Sequence, residues 1–147
     1  MYDVAVIGCG IVGAAAAYEL SRYNCRVLVL EAKNDVANVT TKANSAILHA
    51  GYDPTPGTLM AETNVRGVAL AKELCEKLDV EREEIGSLVL AFGEEDERHL
   101  EKLYQQGLAN GVPGIELLTA DEVHALEPNV SDKVTAALYA PLSLIHI

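Results

Sequence analysis

The chain opens on Met1-Tyr2-Asp3-Val4-Ala5-Val6-Ile7-Gly8-Cys9-Gly10-Ile11-Val12-Gly13, and this stretch decides the fold. Met1 to Ile7 is a short apolar run rich in the β-branched residues that a buried strand favours. It passes without a spacer into Gly8-x-Gly10-x-x-Gly13. Ala14 to Asn24 then predicts a helix, and Arg26 to Leu30 a second strand. That strand ends on Glu31, 18 residues beyond Gly13. A glycine triplet alone says little. Strand, glycine turn, helix, strand and acid in succession predict a dinucleotide-binding βαβ unit. Gly8 permits the tight turn, Gly10 leaves the backbone open to a pyrophosphate, and Gly13 lets the helix close on the strand. The helix start, with Ile11 and Val12, offers unpaired N–H groups and the positive end of a dipole. Glu31 can accept hydrogen bonds from a ribose diol, with Ala32 and Lys33 flanking the adenosine. The same glycines used only for packing an ordinary βαβ unit would be the alternative.

Composition sets the bounds. At 147 residues the chain has the length of one domain, and half its residues are hydrophobic, enough for a core. Its 22 acidic residues outnumber 11 basic ones, a formal charge of −11 with no basic cluster. Nucleic acid needs a Lys/Arg footprint, so this balance argues against it; it also disfavours electrostatic docking on anionic lipid. No run is long enough to span a bilayer. The first apolar run lacks the basic flank of a signal peptide. Cys9, Cys25 and Cys75 are scattered, with no metal-ligand spacing, which suits a reducing compartment. The chain therefore reads as an acidic cytoplasmic protein, with peripheral association at the inner membrane as the alternative. No metal is expected.

Further along, Ile11, Ala14, Ala15 and Tyr18 share one face of the first predicted helix. Residues 34–44 read as a loop, in which Thr40 and Thr41 carry hydroxyls suited to hydrogen bonds with a phosphate or another edge of the cofactor, or serve as plain loop threonines. Ser45 to Ala50 is a short strand or the start of a helix. Thr58 to Leu78 is the longest helix, with Ala71, Leu74, Cys75 and Leu78 on one face. Gly86 to Phe92 is a strand. Glu94 to Asn110 is a helix with Leu100, Leu103, Tyr104, Gly107 and Leu108 as its buried stripe. Its four leading acids suit the helix dipole better than a metal. Thr119-Ala120-Asp121-Glu122 is a capping box before a short helix, and Thr135 to Tyr139 a last strand. His99 and His124 fall on helices as solvated or structural residues. No nucleophile–base set, zinc cluster or P-loop appears.

Asn44-Ser45-Ala46-Ile47-Leu48-His49-Ala50-Gly51-Tyr52, followed by Pro56-Gly57-Thr58-Leu59, resembles the flavin-facing segment of FAD-dependent oxidoreductases of the D-amino-acid oxidase superfamily. The branch it most resembles holds glycerol-3-phosphate dehydrogenase and L-2-hydroxyglutarate oxidase. The likeness continues through Gly86 to Ala91, Leu117 to Val123, Glu127-Pro128 and Ala137 to Tyr139. It implies an α/β fold: a Rossmann-like, glutathione-reductase-type FAD-binding domain whose first segment is 1–85. It further implies that 86–141 begin an inserted mixed-sheet substrate domain, the remainder lying outside these residues. The cofactor would be FAD, receiving hydride from a small hydroxy compound. Asn44 and Ser45 would approach the isoalloxazine. His49 would lie near it, whereas its apolar neighbours alone suggest a packed, hydrogen-bonded histidine. The catalytic residues are otherwise unassigned, as is the electron acceptor.

Residues 142–147, Leu-Ser-Leu-Ile-His-Ile, resemble the translated end of a widely used transposase sequencing adapter, which would make the chain the N-terminal part of a longer protein and leave His146 without a role. Such a part is expected to lack turnover by itself. Two other readings compete with a flavoenzyme: an NAD-dependent dehydrogenase, which the fingerprint and Glu31 would serve equally well, and a non-catalytic dinucleotide-binding module.

Overall fold

The computed structural model describes residues 1–146, and the side chains of residues 1–143. The chain forms two compact units, residues 1–45 and 46–147.

The first unit is a βαβ element. Strand β1 (Val4–Ile7) and strand β2 (Val27–Leu30) pair in parallel, Val4 opposite Val27 through Ile7 opposite Leu30. Helix α1 (Ile11–Leu20) links them. It starts three residues earlier than Ala14, because Gly10 is already its N-cap, and stops at Leu20 rather than Asn24. Its inward face is not the one that periodicity suggests: Ile11, Ala14, Ala15 and Tyr18 are exposed, while Gly13, Ala17 and Leu20 are partly covered. The reason lies at Gly13. A Cβ there would stand 2.0 Å from the carbonyl oxygen of Gly8 and 3.4 Å from Val6 Cγ1. The residue without a side chain is therefore the one pressed onto β1, and the rest of the face follows at helical spacing. No residue of this unit is fully buried.

The second unit holds the core. Strand β3 (Ile47–Leu48) is followed by helix α2 (Leu59–Leu78) and strand β4 (Arg82–Glu83). Strand β5 (Ser87–Ala91), helix α3 (Glu94–Asn110), strand β6 (Glu116–Thr119), helix α4 (Ala120–Leu126), strand β7 (Ala136–Ala140) and strand β8 (Leu144–His146) complete it. β5, β7 and β6 form an antiparallel sheet in that order, Leu138 standing between Val89 and Leu117. The pleat divides this sheet into two faces. Val89, Ala91, Leu138 and Ala140 pack with Leu100 and Leu103 of α3, and with Val112 and Ile115. Leu88, Leu90, Leu118 and Ala137 pack with Val123 of α4 and with Val134. β8 lies between β3 and β4 in a second antiparallel sheet.

The predicted helices hold up well here. α3 has the expected ends, and Thr119 with Glu122 makes the capping box in both directions. Two stripe residues do not: Leu108 and Leu78 are exposed. The two-residue strand β4 and strand β6 carry no period-2 pattern in the sequence; tertiary pairing creates them.

Candidate functional site

The first unit gathers the fingerprint residues around the start of α1. Gly8 has φ +94°, in the region that favours glycine, and turns the chain out of β1. Its N–H still bonds the Leu30 carbonyl of β2 at 2.7 Å. Gly10 caps the helix with extended backbone and no side chain, and Ala14 N–H makes the first intrahelical bond to its carbonyl at 2.9 Å. The N–H groups of Ile11, Val12 and Gly13 precede that bond and have no partner within the helix.

One of them is satisfied. Ile11 N–H donates to Thr41 Oγ1 at 3.0 Å, so the long loop after β2 returns to the helix start. A Cβ on Gly10 would stand 3.1 Å from the same hydroxyl. Thr41, rather than Thr40, is thus the loop hydroxyl at the glycine turn; Thr40 is exposed and contributes its carbonyl to Ala43 N–H. Asn44 Nδ2 bonds the Thr41 carbonyl and holds the loop from behind. Ser45 is exposed at the end of the unit. Among the described residues, the Val12 and Gly13 N–H groups are left as donors for an anion.

Glu31 does more than its position after β2 suggests. One carboxylate oxygen accepts from Cys9 N–H at 2.8 Å and the other from Lys33 N–H at 2.9 Å. Cys9 also accepts from Ala37 N–H through its carbonyl at 2.9 Å. Glu31 therefore ties the glycine turn to the end of β2. The bond from Cys9 N–H, then the one from Lys33, holds its carboxyl below the ordinary value. A carboxylate has about four acceptor positions, so Glu31 keeps acceptor capacity for a ribose hydroxyl. Sequence reasoning assigned Glu31 the ribose alone; its use of the Cys9 N–H was not visible, because only the fold brings residues 22 apart within reach.

Charge singles out this helix start among the four helices. The first turns of α2, α3 and α4 contain acids, and the Thr58 and Thr119 hydroxyls cap α2 and α4. α1 has no acid in its first turn and no side chain of its own on the cap. An anion there meets N–H groups and the dipole without a carboxylate from the helix's own first turn. A dinucleotide pyrophosphate fits this cradle: a side-chain-free Gly10, two donors at Val12 and Gly13, and an acid beside the turn.

His49 belongs to the second unit, where it follows β3. It is exposed and makes no hydrogen bond among the described residues, which corrects the packed, bonded histidine suggested by its neighbours. Packing is taken up by the next residues instead: Ala50, Gly51 and Pro54 are buried. Burial raises the Tyr52 phenol above its ordinary value, with the Ser87 hydroxyl opposing the shift. Among the described residues no cluster of His, Cys, Asp and Glu could hold a metal, and no helix is long and apolar enough to cross a membrane.

Comparison with known proteins agrees with the cradle. The DAO family, described as FAD dependent oxidoreductase, matches residues 3–146. Glycerol 3-phosphate dehydrogenase of Caloramator mitchellensis is 51% identical over 140 residues, covering 95% of this chain and 29% of that protein. The mitochondrial L-2-hydroxyglutarate dehydrogenase of Dictyostelium discoideum is 35% identical, covering 92% and 31%. Among solved structures, dithionite-reduced L-α-glycerophosphate oxidase from Mycoplasma pneumoniae with FAD bound superposes with a TM-score of 0.89. It is 35% identical, covering 98% of this chain and 38% of that one. The chain thus spans about a third of the length of these relatives. A dinucleotide fingerprint built on a βαβ unit, a helix start without an acid in its first turn and a family match along nearly the whole chain lead to one assignment: this chain belongs to the DAO family of FAD-dependent oxidoreductases.

Proposed function

We propose that the whole protein carrying this chain is a flavoenzyme that oxidises a small hydroxy compound, glycerol 3-phosphate in the first place and a 2-hydroxy acid in the second. The observation that carries the dinucleotide is the α1 start, with Val12 and Gly13 donors over a side-chain-free Gly10 and no acid in the first turn, and the family match supports FAD as that dinucleotide. The substrate choice rests on the names of the relatives. FAD, when bound, supplies the hydride acceptor. The chain's own residues do the binding and orienting. The N–H groups of Val12 and Gly13 hold a phosphate. Glu31 keeps the glycine turn against β2 and offers its remaining acceptor positions to a ribose, beside Ala32 and Lys33. Thr41 holds the first N–H of the helix and sets the course of the loop toward Asn44 and Ser45. His49, an exposed imidazole, is suited to take the proton of a substrate hydroxyl.

In this reading residues 1–85 are the first segment of the cofactor domain and 86–141 begin the substrate domain. A two-stranded ribbon with one helix, burying no residue fully, supports the need for further strands. Residues 142–147 are read as translated adapter sequence, which sequencing the gene across that boundary checks. The protein is placed in the cytoplasm, with attachment to the inner-membrane periphery as the variant of that placement; the electron acceptor is left open.

The test is spectroscopic. Purified whole protein should be yellow, and anaerobic glycerol 3-phosphate should bleach the flavin band faster than L-2-hydroxyglutarate does. Colourless protein that takes up NAD but no FAD overturns the proposal. Yellow protein that no hydroxy compound bleaches leaves a binding module without turnover.

A further inference from the structure

The segment that presents His49 is held by the end of α3. Asn110, the last residue of that helix, donates through Nδ2 to the carbonyls of both Gly51 and Pro54, at 2.9 and 2.8 Å. One turn earlier, Gln106 Nε2 donates to the Asp53 carbonyl at 3.1 Å. Between them sits Gly107, where a Cβ would meet Ile115 Cδ1 at 2.5 Å and Tyr52 Cβ at 3.1 Å, so the helix lies directly on the Tyr52 backbone. From the other side, Gly51 has φ +104°, and a Cβ on it would stand 2.7 Å from Val65 Cγ2 and 3.1 Å from Asn64 Oδ1 of α2. Residues 50–54 are thus gripped between two helices, and His49 is the exposed residue that immediately precedes the grip.

The grip is itself rigid. Gly111, with φ +75°, closes α3, and Val112 N–H bonds the Gly107 carbonyl at 2.9 Å while Val112 is buried. This 6→1 closure fixes the backbone from which Asn110 projects. The Gly51 and Pro54 residues are buried, so their carbonyls need partners, and one side chain supplies both. Two carbonyls on one amide set where the Gly51 backbone lies, and so where His49 starts.

We propose that Asn110, assisted by Gln106, is a positioning residue for His49: its amide holds the Gly51 and Pro54 carbonyls and thereby sets the imidazole against the substrate. The proposal rests on the reading of His49 given above. Asn110→Asp keeps the shape but removes the donor and turns a carboxylate toward two carbonyls; Asn110→Ala removes the group.

The experiment uses the whole flavoprotein with glycerol 3-phosphate and measures kcat, KM, FAD affinity and the visible flavin spectrum. Both Asn110 variants should lower kcat by about 10- to 100-fold, the range for an ångström-scale misplacement at a reacting centre. KM and FAD affinity should stay within a few-fold, and the flavin band should shift in the same sense as in His49→Ala. Gln106→Ala should act in the same direction but less, and serves if the Asn110 variants do not fold. Gln105→Ala, on the same turn but bonded to Glu101, should leave all four readouts unchanged. If His49→Ala alters kcat and the spectrum while the Asn110 and Gln106 variants only lower the melting temperature, the positioning role is refuted. If His49→Ala changes neither, it is the His49 reading that fails, and the proposal falls with it.

Discussion

Replacing Gly13 by alanine pits two effects of opposite sign against each other. An alanine in a helix interior is favoured over glycine by about 1 kcal/mol. Against this, the added Cβ would stand 2.0 Å from the Gly8 carbonyl oxygen and 3.1 Å from its carbon, both backbone atoms that cannot rotate away. Since real Cβ contacts essentially never fall below 3.0 Å, α1 must move about 1 Å from the turn. Overpacking costs about 1–3 kcal/mol, and a shift this large against backbone belongs near the top of that range, for a net destabilisation of about 2 kcal/mol. The same shift displaces the Val12 and Gly13 donors from the turn they share a phosphate with, and an ångström is enough to take a hydrogen bond out of reach. Losing two charge-assisted bonds at about 1.5 kcal/mol each weakens FAD binding by about 3 kcal/mol, roughly 100-fold. Titrating whole apoprotein with FAD by flavin fluorescence and following thermal melting reads both terms. Gly67→Ala is the matched control. Gly67 lies within α2 with nothing within 4 Å of its Cβ position, so the same substitution should stabilise, by up to about 1 kcal/mol. Fingerprints elsewhere tolerate alanine at the third glycine, so the outcome tests the geometry of this turn. A Gly13→Ala protein that melts at or above wild type and binds FAD as tightly would refute the reasoning.

Glu31→Gln should change the response to acid. Hydrogen bonds to the ionised carboxylate depress its folded value below the ordinary 4.5, so its stabilisation is present above that value and is lost as pH falls through the depressed one. Melting temperature measured from neutral pH downward should fall less steeply in the variant; an unchanged slope would assign the acid sensitivity to another group. Leu138→Ala empties the centre of the three-stranded sheet, where Leu138 is 0% exposed, and should cost about 2–5 kcal/mol in a urea titration. A loss below about 1 kcal/mol, smaller than any packed leucine site gives, would show that the sheet and α3 do not share one core.

Much of the fold is legible because its signals are local. α3 is readable end to end, as Glu94 to Glu97 at its start, Leu100-Leu103-Gly107 on one face and Gly111 at its close are all spaced by the helix itself. The capping box at Thr119 works within four residues. Where partners are distant, the reading weakens. The face of α1 was misassigned because size and periodicity favour Ile11 and Tyr18, whereas the contact that counts is backbone against a missing side chain at Gly13. β4 and β6 have no pattern of their own and exist through the strands they pair with.

The site divides in the same way. Gly8, Gly10, Gly13 and Glu31 are determined by the sequence, because a turn without side chains, a helix start and an acid at a strand end follow from residue type and spacing along the chain. The tertiary structure alone decided which loop hydroxyl reaches the helix start, which backbone N–H groups Glu31 holds, and that His49 stands exposed before a segment gripped by Asn110. Those contacts join residues 30, 22 and 59 positions apart. Nothing local distinguishes Thr41 from Thr40, or Asn110 from any other asparagine at a helix end. The packing of helices on strands selects them, and that selection is a property of the folded chain.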